Sequence, residues 1–308
     1  MSDMSPLAFF SYRAGMPPLH GDPWLLGGPF WTNWVLDASV VVGVFALAAW
    51  YIWVVGPLNR RSPGAERRPI SVRQRASFLA GCLALLLALG PPIEDWAGLL
   101  LTAHMVQHVI LTLVVPPLLI YGTPGWLLRP LLRWRGVERA GYVLTRPVVA
   151  LFLSGFTFVI WHVPDLYNLA LLNEPVHILQ HLTYLATSIL LWWPILGNLP
   201  EWPRLHPLPM CLYLFAQTLP GGIVGAFITM ADPPLYGYYA TVPRAWGIDL
   251  ARDQQAAGLM MWLGVNTVYF LLITIVFLTW ATREEAKDRD QPTTTSRPPI
   301  GTSRSSSG

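Results

Sequence analysis

Long apolar stretches alternate with short polar or proline- and glycine-containing segments along most of the chain. A helix needs about 20 mostly apolar residues to cross the hydrocarbon core of a bilayer. The pattern therefore predicts an all-α polytopic membrane protein with seven transmembrane helices. The predicted spans are 34–55, 76–91, 98–121, 147–163, 176–196, 208–230 and 255–280.

These spans divide the chain into three parts. Residues 34–281 form the predicted seven-helix domain, residues 1–33 precede it, and residues 282–308 are a charged and then Ser/Thr/Pro-rich tail. A tail of this composition buries too little apolar surface to fold, so we expect it to be disordered. Within the domain, the loop 122–146 carries five arginines among apolar and aromatic residues. That pattern predicts an amphipathic helix on the membrane surface.

Basic residues are distributed unevenly between the two sides of the predicted bundle. One side holds 17 of the 20 Lys and Arg residues: six in 59–75, five in 122–146, Arg204 and five in the tail. Cytoplasmic loops of membrane proteins carry an excess of Lys and Arg. The asymmetry therefore predicts an outer N-terminal segment and a cytoplasmic C-terminus.

The composition agrees with a membrane location and excludes several classes. The chain is 53% hydrophobic and 12% charged, whereas soluble domains are about 25% charged. Its two cysteines, Cys82 and Cys211, lie within apolar spans, which argues against a disulfide framework and a CxxC metal or haem motif. The sequence has no basic-aromatic face typical of nucleic-acid binding. We therefore expect the lipid bilayer, and no nucleic acid, among the partners.

Five of the seven histidines fall at the same end of three predicted spans. His104 and His108 begin the third span, His162 ends the fourth, and His177 and His181 begin the fifth. Residues four apart lie on one face of a helix. At about 1.5 Å per residue, all five lie within roughly two turns of the outer boundary. Ionisable residues inside a membrane are functional candidates, so we expect these imidazoles to gather at one outer site.

Imidazole is the commonest metal ligand near neutral pH, so the five histidines could hold one metal ion or two. A thioether from Met105, Met260 or Met261 would favour Cu(I), because soft ligands select it. Gln107 and Gln180 would suit a supporting role that orients the imidazoles. The alternative interpretation is structural, since one pair of histidines four apart often only forms hydrogen bonds between helices. The second pair at matched depth favours the metal site.

Other residues near the span ends receive simpler interpretations. Trp and Tyr collect where the hydrocarbon core meets the lipid headgroups. We expect this interfacial position for Trp161, Trp192, Trp193, Tyr236, Tyr238 and Tyr239. The two cysteines are interpreted as packing residues.

Four motifs occur in a characteristic order. They are HMVQH at 104–108, WHVPDLYNLAL at 161–171, HILQHLTYLATSILLWWPILG at 177–197 and DQQAAGLMMW at 253–262. In this combination the chain resembles the CtaG-type cytochrome c oxidase assembly factors, a family of seven-helix membrane proteins. The resemblance covers about residues 35–280.

The resemblance implies a protein of the bacterial plasma membrane that is not an enzyme. It implies a role in maturing a haem-copper cytochrome c oxidase through copper supply, with oxidase subunits and a periplasmic copper donor as partners. The positions that it carries over as metal-site residues are His104, His108, His162, His177, His181, Asp253 and Gln254. A different, single-span copper chaperone shares the CtaG name and uses a cysteine pair in a soluble domain, which this chain lacks.

Three other functions remain open from the residues alone. Histidines on neighbouring helices at one depth could ligate haem from both sides in an electron-transfer protein. The outer carboxylates Glu94, Asp95, Asp165 and Asp253 keep a metal-dependent membrane enzyme possible, although no known catalytic spacing occurs. A transporter would need polar residues through the full depth of the membrane, and the inner halves of the predicted spans are nearly all apolar.

Overall fold

The computed structural model describes residues 37–59 and 70–290, and every regular element within these ranges is helical. The predicted all-α class is therefore confirmed. The predicted N-terminal segment 1–33 and the tail beyond residue 290 lie outside the described residues.

The chain folds into a bundle of long helices joined by shorter ones. In chain order, the helices of the described residues are α1 Ala38–Leu58, α2 Val72–Ala88, α3 Ile93–Ala97, α4 Leu101–Gly122, α5 Gly125–Leu128, α6 Arg135–Leu144, α7 Pro147–Trp161, α8 Pro164–Leu172, α9 Glu174–Leu196, α10 Pro207–Met230, α11 Tyr238–Thr241 and α12 Leu250–Arg289. Three of the long helices contain a π-helical turn: α1 at Val54–Leu58, α4 at Ile110–Val114 and α12 at Met260–Val265.

Within residues 37–59 and 70–290, four helices are long and apolar enough to cross a membrane: α1, α4, α10 and α12. A fifth span arises if the bent pair α6–α7 is counted as one. The sequence-based count of seven also includes α2 and α9. Helix α2 has only 17 residues. Helix α9 has 23 residues, but its histidines, glutamine and threonines lower its mean hydropathy. The structure therefore supports a membrane protein with four to five candidate spans.

The arginine-rich segment 122–146 is not one continuous amphipathic helix. It forms α5, a 3-10 turn at Arg129–Arg133, and α6, with Trp134 in an extended conformation between them. Pro130 has no backbone N–H to continue an α-helix through this region. Helix α6 meets α7 at 74°, which is the direction expected of a helix lying across the end of a span.

Helix α12 continues past residue 281, where the sequence placed the end of the helical domain. Its exposed last turns carry ion pairs between Lys287 and Glu284 at 2.8 Å and between Arg289 and Glu285 at 3.6 Å. Opposite charges three or four residues apart stabilise a helix surface. The charged start of the tail, expected to be disordered, is therefore helical as far as Arg289.

A hydrogen bond joins the middle of α4 to α9. The sequence of α4 makes this bond necessary. Pro116 lacks the N–H that would bond the carbonyl of Thr112 in the preceding turn. That carbonyl accepts a hydrogen bond from the indole Nε1 of Trp192 at 2.9 Å. A backbone carbonyl inside a membrane domain needs a protein partner, so Trp192 fixes where α9 lies against α4.

Replacing Trp192 with Phe should remove this bond and leave the Thr112 carbonyl buried without its indole donor. We expect a loss of about 1–3 kcal/mol in the free energy of unfolding, measured by denaturant unfolding in detergent micelles. Trp193→Phe is the matched control, because the buried Trp193 indole nitrogen has no hydrogen-bond partner among the described residues. Equal losses for the two variants would contradict this role of Trp192.

Candidate metal centre

The structure brings the five predicted histidines together at one end of the bundle. All five are buried, with at most 9% of each residue exposed. Within each helix the ring centroids lie 4.3 Å apart for His104 and His108, and 4.2 Å apart for His177 and His181. Between α4 and α9, His104 lies 5.5 Å from His177, and His108 lies 5.5 Å from His181. His162, just after α7, is at the side of the cluster, 6.5 Å from His108.

The ring nitrogens converge as well as the rings. The Nε2 atoms of His104 and His108 are 2.9 Å apart. One nitrogen from each of His104, His177 and His181 lies within 4.8 Å of the others. Two metal–nitrogen bonds of about 2.0–2.1 Å span at most about 4 Å. Small rotations of these side chains would therefore bring three imidazoles to one ion.

Hydrogen bonds outside the cluster set the tautomer of His104. Its Nδ1 lies 3.2 Å from the hydroxyl of Tyr239, which itself donates to the carbonyl of Ala97 at 2.9 Å. The tyrosine has one hydroxyl hydrogen, so its oxygen accepts from an Nδ1–H of His104. The proton is thereby held on Nδ1, and Nε2 presents a lone pair toward the cluster.

The same reasoning applies to His162. Its Nδ1 donates to the carbonyl of Phe158 at 2.7 Å, since a carbonyl can only accept. The Nε2 atom carries the lone pair, and it is buried with no hydrogen-bond partner in the described part of the chain. The hydroxyl of Tyr184 lies 3.2 Å from Nδ1 of His162. A metal-binding histidine is usually held in this way by its other nitrogen.

Among the described residues, one carboxylate reaches the cluster. An oxygen of Glu94, in α3, lies 3.9 Å from Nδ1 of His177. The side-chain amide of Gln107 donates to the other oxygen of Glu94 and to the carbonyl of Ala88. Gln107, expected to support the imidazoles, therefore acts by holding the carboxylate beside His177.

Asp253, one of the predicted metal-site positions, instead caps α4. Its carboxylate accepts hydrogen bonds from the backbone amides of Leu101 at 2.9 Å and Thr102 at 3.0 Å. These amides open the helix and have no partner within it. Arg244 pairs with the same carboxylate at 3.2 Å. Asp253 thus joins α12 to the start of the helix that carries His104 and His108.

Gln254, the other non-histidine position, also bonds to the backbone. Its side-chain oxygen accepts from the amide of Leu235 at 2.7 Å, and its amide donates to the carbonyls of Ile228 and Ala231. These contacts fasten the loop that follows α10. The structure therefore gives both Asp253 and Gln254 positioning contacts, apart from the imidazole cluster.

The sulfur atoms considered as ligands lie in an apolar environment. Met105 and Met261 belong to a buried cluster that includes Tyr167, Tyr236 and Tyr239, and Met260 packs at its edge. The imidazole and carboxylate donors that the described residues bring together are those of the five histidines, with Glu94 beside them.

The expected interfacial position is wrong for most of the aromatic residues assigned to it. Buried side chains cannot meet lipid headgroups, and only Tyr238 of the six is half-exposed. The buried ones are Trp161, Trp192, Trp193, Tyr236 and Tyr239. The tyrosine-rich segment after α10, which includes α11, folds inward, so that Tyr239 contacts His104.

Sequence reasoning missed Tyr239, Tyr184, Tyr167 and Glu94 as parts of the site. Tyr184 follows His177 by seven residues, and this two-turn spacing on α9 placed it on the histidine face. Tyr167 was within a recognised motif, and its ring lies 5.2 Å from that of His104. Tyr239 and Glu94 come from two short helices, α11 and α3, whose folding no periodicity indicates.

Fold and site together define a helical membrane protein with a buried, imidazole-rich centre at one end of its bundle. The chain matches the model of the cytochrome c oxidase caa3 assembly factor family, Caa3_CtaG, over residues 49–283, and it belongs to that family. The resemblance seen in the four motifs is therefore confirmed. The family is one of assembly factors and not of catalytic enzymes.

The sequence identity between this chain and its curated relatives is low. Uncharacterized proteins of Mycobacterium leprae (strain TN) and Mycobacterium bovis (strain ATCC BAA-935 / AF2122/97) are each 24% identical over 272 residues, covering 83% and 82% of this chain. The chain spans only 40% of the length of these relatives. No solved structure shows a significant match to the chain.

Replacing Asp253 with Ala should detach α12 from the start of α4 and remove the carboxylate that pairs with Arg244. Hydrogen bonds to a charged group are worth about 1.5–3 kcal/mol, so we expect a loss of at least about 2 kcal/mol in unfolding free energy. Asp249→Ala is the matched control, because Asp249 is an exposed N-cap of α12, worth about 1 kcal/mol. Thermal unfolding in micelles measures both. An Asp253→Ala variant no less stable than the control would contradict the capping role.

Proposed function

We propose that this chain binds copper at the buried imidazoles and supports copper insertion into a haem-copper cytochrome c oxidase. The observation that carries the proposal is the convergence of nitrogens from His104, His177 and His181 within 4.8 Å of one another. Membership of a cytochrome c oxidase assembly family supports it. Copper is the cargo of the site and is passed on when the acceptor's ligands replace imidazoles one at a time.

The donor set is compatible with copper. Neutral imidazole suits copper, zinc, iron and nickel, and the hydrogen bonds of Tyr239 and Phe158 keep the Nε2 atoms of His104 and His162 unprotonated. Among these metals, copper is chosen because a haem-copper oxidase is the enzyme that the family serves. The proposal therefore depends on geometry for metal binding and on the family for the metal.

Glu94 supplies the negative charge that the imidazoles lack. Neutral nitrogens bring no charge to offset a cation held in a low-dielectric interior, where unpaired charge is expensive. Asp253 is already paired with Arg244 at 3.2 Å. The Glu94 side chain is 22% exposed, against 8% for His177. We therefore assign Glu94 to charge compensation and to the first contact with a cation arriving from water.

The proposal places the site at the outer face of a bacterial plasma membrane. It keeps seven spans, with α2, α7 and α9 added to the helices that qualify by length and composition, an outer N-terminus and a cytoplasmic C-terminus. The arginine asymmetry of the loops supports this orientation. At the outer face the cluster would receive copper from a periplasmic donor and deliver it to oxidase subunits.

The bis-histidine haem alternative is less compatible with the structure. The rings of His104 and His108 have centroids 4.3 Å apart, and those of His177 and His181 are 4.2 Å apart. A porphyrin would have to separate rings of α4 and α9 that are packed together. An absorption spectrum distinguishes the two functions, because bound haem produces a strong Soret band and copper does not.

Purified protein loaded anaerobically with Cu(I), then washed free of excess metal, should retain close to stoichiometric copper. The double variant His104→Ala/His181→Ala removes one ligand from each helix and should lower copper affinity by at least about tenfold. Elemental analysis and competition with a Cu(I) chelator measure the two quantities. His206→Ala is the control, because His206 is exposed at the start of α10. No retained copper, or equal retention by the double variant, would refute the proposal.

Replacing Tyr239 with Phe tests the hydrogen bond that sets the His104 tautomer. Without the hydroxyl, either nitrogen of His104 can carry the proton, and copper affinity should fall by about 10–100-fold. Tyr213→Phe is the control, because the Tyr213 hydroxyl donates to the carbonyl of Leu191, away from the imidazoles. Chelator competition measures both affinities. A Tyr239→Phe variant with unchanged affinity would show that this bond does not prepare the ligand.

A further inference from the structure

A second polar site lies in the middle of the bundle, one helical turn inward from the histidines. It is a cavity of about 50 Å³ enclosed by α4, α7, α9, α10 and α12. Polar side chains from all five helices line it: Thr112, Ser154, Ser188, Gln217, Asn266 and Tyr269. These residues fall near the centres of their helices, where the sequence suggested an almost wholly apolar interior.

The cavity contains polar atoms that need a partner. Gln217 Oε1 and Asn266 Oδ1 are buried with no hydrogen-bond partner in the described residues. The hydroxyl-bearing residues Ser154 and Ser188 are 7% and 2% exposed. A buried polar group left unsatisfied costs about 1–3 kcal/mol. Two such groups at one cavity, Gln217 Oε1 and Asn266 Oδ1, point to a small polar ligand.

The chemistry of the lining indicates which ligand. None of the residues that line the cavity is charged, so nothing there would offset the charge of an ion in a low-dielectric interior. The lining also lacks the thiolate or imidazole ligands that soft metals prefer. A cavity needs about 10–15 Å³ per water and two to four polar contacts to bind it. The volume and the lining meet both conditions.

We propose that this cavity binds a cluster of about three water molecules. The π-helical turns support the assignment. Thr112 lies in the π-helical turn of α4, and Asn266 directly follows that of α12. Such turns re-aim side chains and occur frequently at functional sites. Here they turn Thr112 and Asn266 to the same cavity.

The water cluster adjoins the imidazoles through Tyr184. This residue lines the cavity, and its hydroxyl lies 3.2 Å from Nδ1 of His162. Its ring centroid is 4.6 Å from that of His108. Since Nδ1 of His162 carries a hydrogen that it donates to Phe158, it cannot accept from the Tyr184 hydroxyl, which keeps its own hydrogen for another partner. Water beside Tyr184 therefore places exchangeable protons on the inner side of the histidine cluster.

Hydroxyl-radical footprinting tests the proposal, because X-rays generate radicals from bound water inside a protein. The experiment uses the full chain in lipid nanodiscs, with oxidation of each tyrosine read by mass spectrometry. Tyr184 and Tyr269 should be oxidised several-fold more than Tyr51, which is fully buried and stacked on Phe78. Tyr167, beside His104 but outside the cavity lining, controls for proximity to the imidazoles. Oxidation of Tyr184 and Tyr269 at the level of Tyr51 and Tyr167 would overturn the proposal.

Asn266→Leu provides a second readout. The substitution removes the side-chain amide of Asn266, and the leucine side chain fills part of the cavity. With less bound water, oxidation of Tyr184 and Tyr269 should fall toward that of Tyr51. Unchanged oxidation of both tyrosines in the folded variant would contradict a water site here. The comparison among tyrosines of the unmodified chain stands even if this variant does not fold. Neither measurement depends on copper binding, so the water site and the proposed function fail separately.

Discussion

One constraint governs this structure: the polar groups that the helices bury together inside the bundle must each have a hydrogen-bond partner or a metal ion. The five imidazoles at one end of this bundle are buried away from water. Each of their N–H groups therefore needs a hydrogen-bond acceptor, and each unprotonated nitrogen needs a donor or a metal ion. The outer nitrogen of His162 donates to the backbone carbonyl of Phe158, and that of His104 donates to the hydroxyl of Tyr239. Those bonds leave the opposite nitrogens of the two rings facing inward. A group of polar residues that would otherwise destabilise the bundle thereby becomes a set of prepared ligands.

The same requirement explains how the helices are placed. Asp253 of α12 bonds the first amides of α4, and Trp192 of α9 bonds the carbonyl of Thr112 that Pro116 leaves without its usual donor. Both contacts come from other helices and both fix α4. Since α4 carries His104 and His108, these contacts hold one wall of the site at a fixed depth and rotation. The supporting residues are therefore as much a part of the centre as the imidazoles.

The class of fold, the histidine cluster and the family followed from sequence because each left a regular pattern. Long apolar stretches marked the long helices, and two histidine pairs at a spacing of four placed the imidazoles on helix faces. The roles of Asp253 and Gln254 did not follow, because a polar residue in the first turn of a helix looks alike whether it binds a metal or caps a neighbour. Tyr239 and Glu94 reach the site on the short helices α11 and α3, which no apolar periodicity predicts. The central cavity could not be predicted from the sequence, because its polar residues are scattered singly over five mostly apolar helices.

The central claim is that buried imidazole nitrogens of α4 and α9 bind copper together. X-ray absorption spectroscopy at the copper edge of the loaded protein tests it most directly, because the method reports the elements bound to the metal and their distances. We predict that the copper is bound by three or more nitrogens at about 2.0 Å, with the outer scattering of imidazole rings, and by no sulfur at about 2.3 Å. A shell dominated by sulfur, or by oxygen without imidazole scattering, would contradict it.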